Sequence, residues 1–489
     1  MELKQNVLLL RWKYLLKKNS GRENLKKEIM KKSFLYFLIA VALYGCYAPG
    51  GGELVGVYPR DEWYQANPYG MNYIHFGSYT MGPSDQDVPY ALNNRAKTVT
   101  IPAFYIDQTE ISNNEYRQFV YWVKDSLMLD ALAQADIEGY SAKEREDGKE
   151  FERFVNKGYT LNWEEPIDLS NEEVFDVIFD GFYLQGAEKF YDRWEIDSRK
   201  LKYRYWWIDL QSASRKAGKD EFSQANQLDQ LYSFKGHNDR SKFIIEEDVW
   251  VYPDTLVWVH DFTYGFNEPL TENYFWHPAY DDYPVVGVSW GQCQAFCAWR
   301  TQIMNDFRHK NGMSYIQRFR LPSEAEWEYA SRGGLELSPY PWGGPYTRNY
   351  LGCPLANFKP MRGDYVEDNG CHTVPIYSYS PNDFGLFNMA GNVSEWTNTA
   401  YDESVYEFSH DLSPEYQYRA ATHDPPSLKR KVIRGGSWKD IGYFIQTGTR
   451  SYEYQDTAKS YIGFRCVMSY LGRGKSAADG EFNAPMEME

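Results

Sequence analysis

The chain has 489 residues and carries 68 Asp and Glu against 52 Lys and Arg, a formal net charge of −16. A hydrophobic content of 43% supplies enough core to exclude intrinsic disorder for most of the chain. The acidic balance argues against nucleic acid as a partner, because a phosphate backbone selects basic surfaces. At about 150 residues per domain, the length corresponds to about three domain-sized units or one large domain with insertions.

The N-terminus has the pattern of a secretory signal. Met30-Lys31-Lys32 is a short basic start, Phe34 to Leu43 is apolar, and Cys46 follows a glycine. Such a short segment does not span a bilayer stably, and the cysteine after a small residue looks like a bacterial lipobox. The alternative is an ordinary membrane anchor or a buried helix. We expect residues 1–45 to be an upstream extension and lipoprotein signal peptide, with Cys46 lipidated at the periplasmic face of the outer membrane.

Residues 46–72 are expected to form a lipidated linker to a first structured segment, residues 73–123. That segment alternates strand-like pieces with turns. A capping box follows at Ser112 and Glu115, where each residue satisfies a free backbone N–H of the other, and it predicts the start of a helix.

Residues 124–282 differ in composition and form a predicted insertion. They hold charged, helix-prone stretches at 141–156 and 170–180 and many clustered aromatic residues. The alternation of apolar residues over 248–259 predicts a hairpin that turns at Pro253-Asp254. The aromatic side chains are either core or, since Trp, Tyr and Arg dominate interface hot spots, contacts with partners.

Residues 283–470 are rich in turns, with two further capping boxes at 289–292 and 323–326 that predict helices. Residues 471–489 are expected to form a flexible tail. Seven ordered blocks accompany this pattern: Gly77-Ser-Tyr-Thr-Met-Gly82, Pro284-Val-Val-Gly-Val-Ser-Trp290, Arg320-Leu-Pro-Ser-Glu-Ala-Glu-Trp-Glu-Tyr-Ala330, Pro341-Trp-Gly343, Asn382-Asp-Phe-Gly-Leu-Phe-Asn-Met-Ala-Gly-Asn-Val-Ser-Glu-Trp396, Arg434-Gly-Gly-Ser-Trp438 and Gly463-Phe-Arg465.

The order of these blocks resembles the formylglycine-generating enzyme (sulfatase-modifying factor) family over residues 73–123 and 283–470. The resemblance implies an α+β, C-type-lectin-like fold that is turn-rich, with limited regular secondary structure and a long inserted region. With the lipobox, the lead-in Asn67-Pro-Tyr-Gly-Met71 and the aromatic insertion, the whole chain resembles the GldK/PorK lipoproteins of gliding motility and type IX secretion.

The catalytic chemistry of that family is not expected here. Its enzymes oxidise a substrate cysteine with copper held by two thiolates just after the Gly-Gly-Ser-aromatic block, and soft thiolates suit Cu(I). The corresponding stretch 439–450 contains no cysteine, and Ser437 alone cannot replace a dithiolate. A related branch uses iron held by histidines, but no two histidines here lie three or four residues apart. This departure from the family pattern therefore predicts no catalytic residues, no copper and no enzyme activity.

Structural calcium is expected, because the family binds Ca²⁺ in its turn-rich half. The resemblance implies a first site from the Asn388 and Glu395 side chains with the Gly391 and Val393 carbonyls, an all-oxygen set that suits Ca²⁺. The alternative is a tight turn in which Asn388 and Glu395 bond backbone amides.

A second site is implied by the Asn357 side chain, the Phe358 carbonyl and Asp368, with Gly370 or Cys371 nearby. The spacing departs from the family pattern there, and Asn369 could be the ligand in place of Asp368.

Five cysteines follow Cys46: Cys293, Cys297, Cys353, Cys371 and Cys466. Cys293 and Cys297 lie one turn apart in a helix-like stretch, a geometry that favours buried hydrophobic side chains over a redox pair. Cys353 and Cys371 bracket a polar loop and are the better candidates for a disulfide.

The combined interpretation is a non-enzymatic outer-membrane lipoprotein that serves as a structural subunit of the type IX secretion machinery. The resemblance implies a PorN/GldN-type periplasmic partner, a homo-oligomeric ring and contacts with other subunits of the apparatus. Two alternatives remain: an oxidase that modifies a substrate cysteine, and a glycan-binding protein that uses the lectin-like fold and its tryptophans.

Overall fold

The computed structural model describes residues 65–83, 95–137, 139–140, 161–163, 165–189, 191, 193–214, 243–263, 268–367 and 370–472. The chain divides into two compact units, Met1–Trp63 and Tyr64–Glu489, and every described residue belongs to the second. The predicted signal peptide, Cys46, the stretch 141–156 and most of the tail lie outside the described residues. Across the ranges given above, no helix is both long and apolar enough to cross a membrane.

Short strands form four sheets in the described part of the chain. The strands are β1 (Met71–Ile74), β2 (Gly77–Met81), β3 (Lys97–Ile101), β4 (Phe104–Asp107), β5 (Lys202–Ile208), β6 (Ile244–Trp250), β7 (Phe319–Arg320), β8 (Ser394–Ala400), β9 (Arg430–Arg434), β10 (Ser451–Tyr454), β11 (Ile462–Gly463) and β12 (Val467–Ser469). The order is β1-β4-β12-β7 in one sheet and β10-β9-β8-β11 in another, while β2 pairs with β3 and β5 with β6. The β8–β11 pair is parallel, and the other pairs are antiparallel.

Three of the helices begin where the capping boxes predict. The helices are α1 (Asn113–Gln134), α2 (Glu172–Phe182), α3 (Leu210–Ser214), α4 (Val257–Asp261), α5 (Glu268–Asn273), α6 (Trp290–Lys310), α7 (Glu324–Arg332) and α8 (Val405–Phe408). Ser112, Ser289 and Ser323 each accept a hydrogen bond from the third residue of α1, α6 and α7, and that residue's side chain returns a bond. These helices and sheets confirm the predicted α+β class.

The insertion is part of the main core. Tyr203 and Tyr205 on β5 are buried in one hydrophobic cluster with Trp290 and Phe296 of α6. At the centre of that cluster, the Tyr116 ring of α1 stacks on Phe296 with centroids 5.6 Å apart. Strand β5 of the insertion is therefore packed against the family fold.

The predicted hairpin at 248–259 is wrong. Strand β6 ends at Trp250 and pairs with β5, so that Lys202 lies opposite Trp250. After it, the Asp254 carboxylate accepts a hydrogen bond from Leu256 N at 2.9 Å, a turn that leads into α4. Trp258 on α4 is fully buried. Val257 and Trp258 thus form the buried side of a short helix, while Leu256 is exposed. Alternation over so few residues cannot distinguish such a helix from a strand.

Candidate functional site

The loop before β8 carries the predicted first calcium ligands, and its backbone is unusual. Asn388, Gly391 and Asn392 all have positive φ, at 52°, 78° and 61°. Only glycine fits at position 391, because an added Cβ would lie 2.2 Å from the Asn357 carbonyl oxygen. Asn392 N donates to that same carbonyl at 2.8 Å. The loop is therefore fixed against the segment that supplies the predicted second site.

Glu395 is fully buried and already bound to other side chains. Arg465 donates to both of its carboxylate oxygens, from Nε at 2.7 Å and from Nη2 at 2.6 Å. Trp327 Nε1 donates to Oε2 at 2.7 Å. The predicted ligand thus has its charge matched by a buried guanidinium, a contact that its place in the sequence did not indicate.

Glu110 is a buried carboxylate at this site that the sequence reasoning missed. It is the residue before Ile111 and accepts hydrogen bonds from Asn388 Nδ2 at 2.9 Å and from Asn392 Nδ2 at 3.1 and 3.2 Å. Burial raises the pKa of the Glu110 carboxyl to about 8, and the neighbouring Glu395 carboxylate acts in the same direction. Its separation of 278 residues from Asn388 left no local pattern that could have revealed it.

The first site offers oxygen ligands that fit a hard cation. Asn388 is buried, and its Oδ1 atom has no hydrogen-bond partner among the described residues, although its Nδ2 bonds Glu110 and the Ile376 carbonyl. An unpaired buried carbonyl oxygen costs free energy unless something binds it. No group of three His, Cys, Asp or Glu side chains arranged to hold a metal occurs in the described ranges. A cation here would therefore depend on amide and backbone oxygens as well as carboxylates.

The second site is only partly within the described residues. Asn357 is buried, and its Nδ2 donates to the His372 carbonyl at 2.7 Å, which brings the loop after Gly370 against it. Phe358 packs in a small core cluster with Tyr340. Asp368 and Asn369 lie outside the described residues, so the choice between them as ligand stays a prediction.

Trp438, the residue before the stretch 439–450, is covered by side chains of the insertion. Asp440 accepts hydrogen bonds from the Ser437 backbone N–H at 3.0 Å and from the Ser437 hydroxyl at 2.6 Å. The ring of Trp438 is buried beneath Trp258 and Phe262, with centroids 6.2 and 5.1 Å away. Both covering rings come from the region 124–282.

The cysteines are arranged differently from the predicted disulfide. Cys353 and Cys371 are free and exposed, so the bridge predicted between them is not formed in this structure. Cys293 and Cys297 are buried on α6, as predicted. The sulfur atom of Cys297 lies 3.5 Å from that of Cys466, and burial raises the pKa of the Cys466 thiol well above its usual value.

Residues 61–470 match the family model described as sulfatase-modifying factor enzyme 1-like domain. The chain is 35% identical over 193 residues to inactive C-alpha-formylglycine-generating enzyme 2 of Bos taurus, which covers 38% of this chain and 50% of that protein. It is 32% identical over 197 residues to formylglycine-generating enzyme of Bos taurus, which covers 39% and 45%. The chain thus spans about half the length of these curated relatives. The solved structure of PvdO from Pseudomonas aeruginosa matches 82% of this chain and 94% of its own, with 17% identity and a TM-score of 0.40.

Proposed function

The chain belongs to the sulfatase-modifying factor enzyme 1-like family, and we propose that it is a non-enzymatic member. In this proposal it is an outer-membrane lipoprotein at the periplasmic face, a structural ring subunit of the type IX secretion and gliding machinery. The observation that carries the non-enzymatic part is the stretch 439–450, which has no cysteine. A Cu(I) centre of the family's type needs two thiolates there.

Three further observations support the loss of catalysis. Trp438, the residue before the stretch 439–450, is covered by Trp258 and Phe262. A substrate peptide would have to displace these two rings to reach Trp438. Cys466 is buried beside Cys297, and its raised pKa disfavours the thiolate that binds copper. One of the proteins to which the chain is similar is also named as inactive.

The non-enzymatic proposal is tested by incubating the purified protein with Cu(I) and a sulfatase peptide that contains the substrate cysteine. We expect no formylglycine by mass spectrometry, while a formylglycine-generating enzyme under the same conditions converts the peptide. Conversion by this protein would refute the proposal and would favour the oxidase alternative.

The insertion carries a row of half-buried aromatic rings, with the exposed Trp194 packed against it, that suits assembly with a partner. Phe175, Phe179 and Tyr183 lie one turn apart along α2, with successive ring centroids 5.1 and 5.8 Å apart. Trp194, 56% exposed, packs across Phe175 at 5.2 Å. An exposed tryptophan that neighbouring rings hold in place favours interface contacts. We assign this row to the contact with a second copy in the ring or with the PorN/GldN-type partner.

The assembly proposal is tested with Trp194→Ala and a matched control, Trp276→Ala, which removes another exposed tryptophan of the insertion. We expect Trp194→Ala to reduce the mass of complexes isolated from the membrane, as measured by mass photometry, and Trp276→Ala to leave it unchanged. If Trp194→Ala gave complexes of the same mass as Trp276→Ala and the wild-type protein, the row would be excluded as an assembly contact.

The anchor proposal rests on Cys46, which lies outside the described residues. We expect Cys46→Ala to move the protein from the outer-membrane fraction to the soluble fraction with partner binding partly kept, while Cys353→Ala stays in the membrane. A single acyl chain binds membranes only marginally, so a diacyl or triacyl form and the multivalency of a ring both strengthen the attachment. Unchanged fractionation of Cys46→Ala would refute the lipoprotein assignment.

We also propose that calcium is structural here, held by Asn388, Gly391, Val393 and Glu395 and, at a second site, by Asn357, Phe358 and Asp368 with Gly370 nearby. The unpaired Asn388 Oδ1 supports the first site. Bound Ca²⁺ would fix the loop before β8. Native mass spectrometry after purification without chelator should find it, and its absence there would count against both sites.

A further inference from the structure

The first site contains two buried carboxylates but a single matching cation. Glu395 and Glu110 are both fully buried, and Arg465 binds Glu395 through two hydrogen bonds. Glu110 has no ion pair in the described ranges and accepts hydrogen bonds only from the amides of Asn388 and Asn392. A buried ionised carboxylate without a cation is costly. The site therefore lacks one positive charge when Glu110 is ionised.

The unpaired oxygen lies beside the same carboxylate. Asn388 donates its Nδ2 to Glu110 Oε2, and its Oδ1 has no partner among the described residues. Glu110 accepts three amide hydrogen bonds over two oxygens, one of them on Oε1. Two carboxylate oxygens can accept about four hydrogen bonds or metal contacts, so an acceptor position remains free on Glu110.

From this arrangement we infer that Glu110 is the carboxylate that neutralises the cation of the first site. Glu395, by contrast, is an anchored oxygen ligand whose charge Arg465 has already matched. The inference rests on the proposed calcium site and adds to it a residue from the strand-to-helix connection between β4 and α1. Calcium affinity depends on the number of charged ligands, so the identity of this carboxylate determines how tightly the site binds.

The occupant would be a hard divalent cation that is bound only by oxygen. It would join Glu110 on the segment before α1 to Asn388 on the loop before β8, two parts of the chain separated by 278 residues. Binding would thus fix the N-terminal part of the family fold to its turn-rich half.

The test uses Glu110→Gln in the full chain, with Ca²⁺ as the ligand. Glutamine keeps an acceptor for the two asparagine amides but removes the charge. We expect calcium affinity, measured by isothermal titration, to fall about 10- to 100-fold. We also expect the thermal midpoint in EGTA to stay equal or rise, because glutamine replaces a buried carboxyl that has no ionic partner, and the calcium-dependent rise in the midpoint at a fixed calcium concentration to become smaller.

Glu326→Gln is the matched control, since Glu326 is another buried carboxylate but is bound by Arg320. It should lower the midpoint equally with and without calcium. Glu110→Asp, which keeps the charge on a shorter side chain, should bind calcium more tightly than Glu110→Gln and provides the test if the glutamine variant folds poorly. If both Glu110 variants bound calcium with wild-type affinity, the role of Glu110 would be overturned, while the proposed calcium site would stand. Absence of calcium binding by the wild-type protein would overturn the site itself.

Discussion

Buried charge is concentrated where α7 meets β9. Glu324 and Glu328 on α7 are buried with Arg332, Arg434 and Arg450, and all five have partners within this group. Arg450 donates from Nε and Nη2 to Glu324, and Arg332 donates to Glu328 Oε1 at 2.6 Å. Glu324 and Glu328 are thus the anions of an internal network. Removal of one member leaves others buried and unpaired.

Glu328→Gln should therefore destabilise the fold by about 3–5 kcal/mol, the range for breaking a buried pair. Glu328 is shared by Arg332 and Arg434 and also accepts a hydrogen bond from Gly82 N at 2.8 Å. Urea unfolding followed by tryptophan fluorescence measures the change. Glu336→Gln, at an exposed acid of the following loop, should stay within about 0.5 kcal/mol. An equally small effect at Glu328 would show that the network contributes little.

Lys431 should make stability depend on pH. Burial lowers the pKa of its ammonium group to about 7, and nearby Arg419 acts in the same direction. The unfolded chain, with an ordinary pKa near 10.5, therefore binds more protons than the folded chain between about pH 7 and 10.5, so this group makes stability rise with pH across that window. Lys431→Met should remove this part of the slope. Unfolding curves at pH 6.5 to 9.5 measure it, with Lys310→Met as the exposed control. Parallel pH profiles of Lys431→Met and wild type would contradict the assignment.

At the scale of elements, helix starts were more predictable than strand pairing. The capping boxes at Ser112, Ser289 and Ser323 are local, since each lies within four consecutive residues, and the structure contains all three boxes. The β5–β6 pair joins residues about forty positions apart across a segment outside the described residues. No turn signal links them, so a nearer hairpin at 248–259 was predicted instead.

The cap of α6 should be worth about 1 kcal/mol. Ser289 Oγ accepts from Gln292 N, and Gln292 Oε1 accepts from Ser289 N at 2.7 Å. Ser289→Ala removes the first of these bonds, and thermal unfolding should record the loss. Ser427→Ala, at an exposed serine outside the long helices, should leave the midpoint unchanged. A shift of the same size in both variants would show that the effect is not due to the cap.

At the scale of the whole molecule, the motif blocks predicted the family and the loop 388–395, because those signals lie within contiguous sequence. Glu110 was not predictable, since its partners lie 278 and 282 residues away. The aromatic residues of the family motifs and of the insertion both contribute to the core. Trp290, Trp327, Trp396 and Trp438 are core, and Trp342 is half-buried, but Tyr203, Trp258 and Tyr274 of the insertion are core as well. The sequence left core and partner contact open for the aromatic residues of the insertion, because their packing partners lie in the family fold, far along the chain.

Arg419 connects the β5–β6 pair to the family fold, and its loss should loosen that pair alone. Its Nη2 donates to Tyr205 Oη at 2.6 Å and to Glu247, and its guanidinium lies 4.5 Å from the centre of the Trp207 ring. A cation–π contact with its hydrogen bonds contributes about 1–2 kcal/mol, and each 1.4 kcal/mol corresponds to a factor of ten. In Arg419→Ala, hydrogen exchange of β5 and β6 should therefore be about tenfold faster, while exchange in β8 and β9 stays unchanged. Arg348→Ala, which breaks an exposed ion pair with Glu367, should alter neither pair. Uniform acceleration in all four strands would mean that the insertion opens only when the whole fold does.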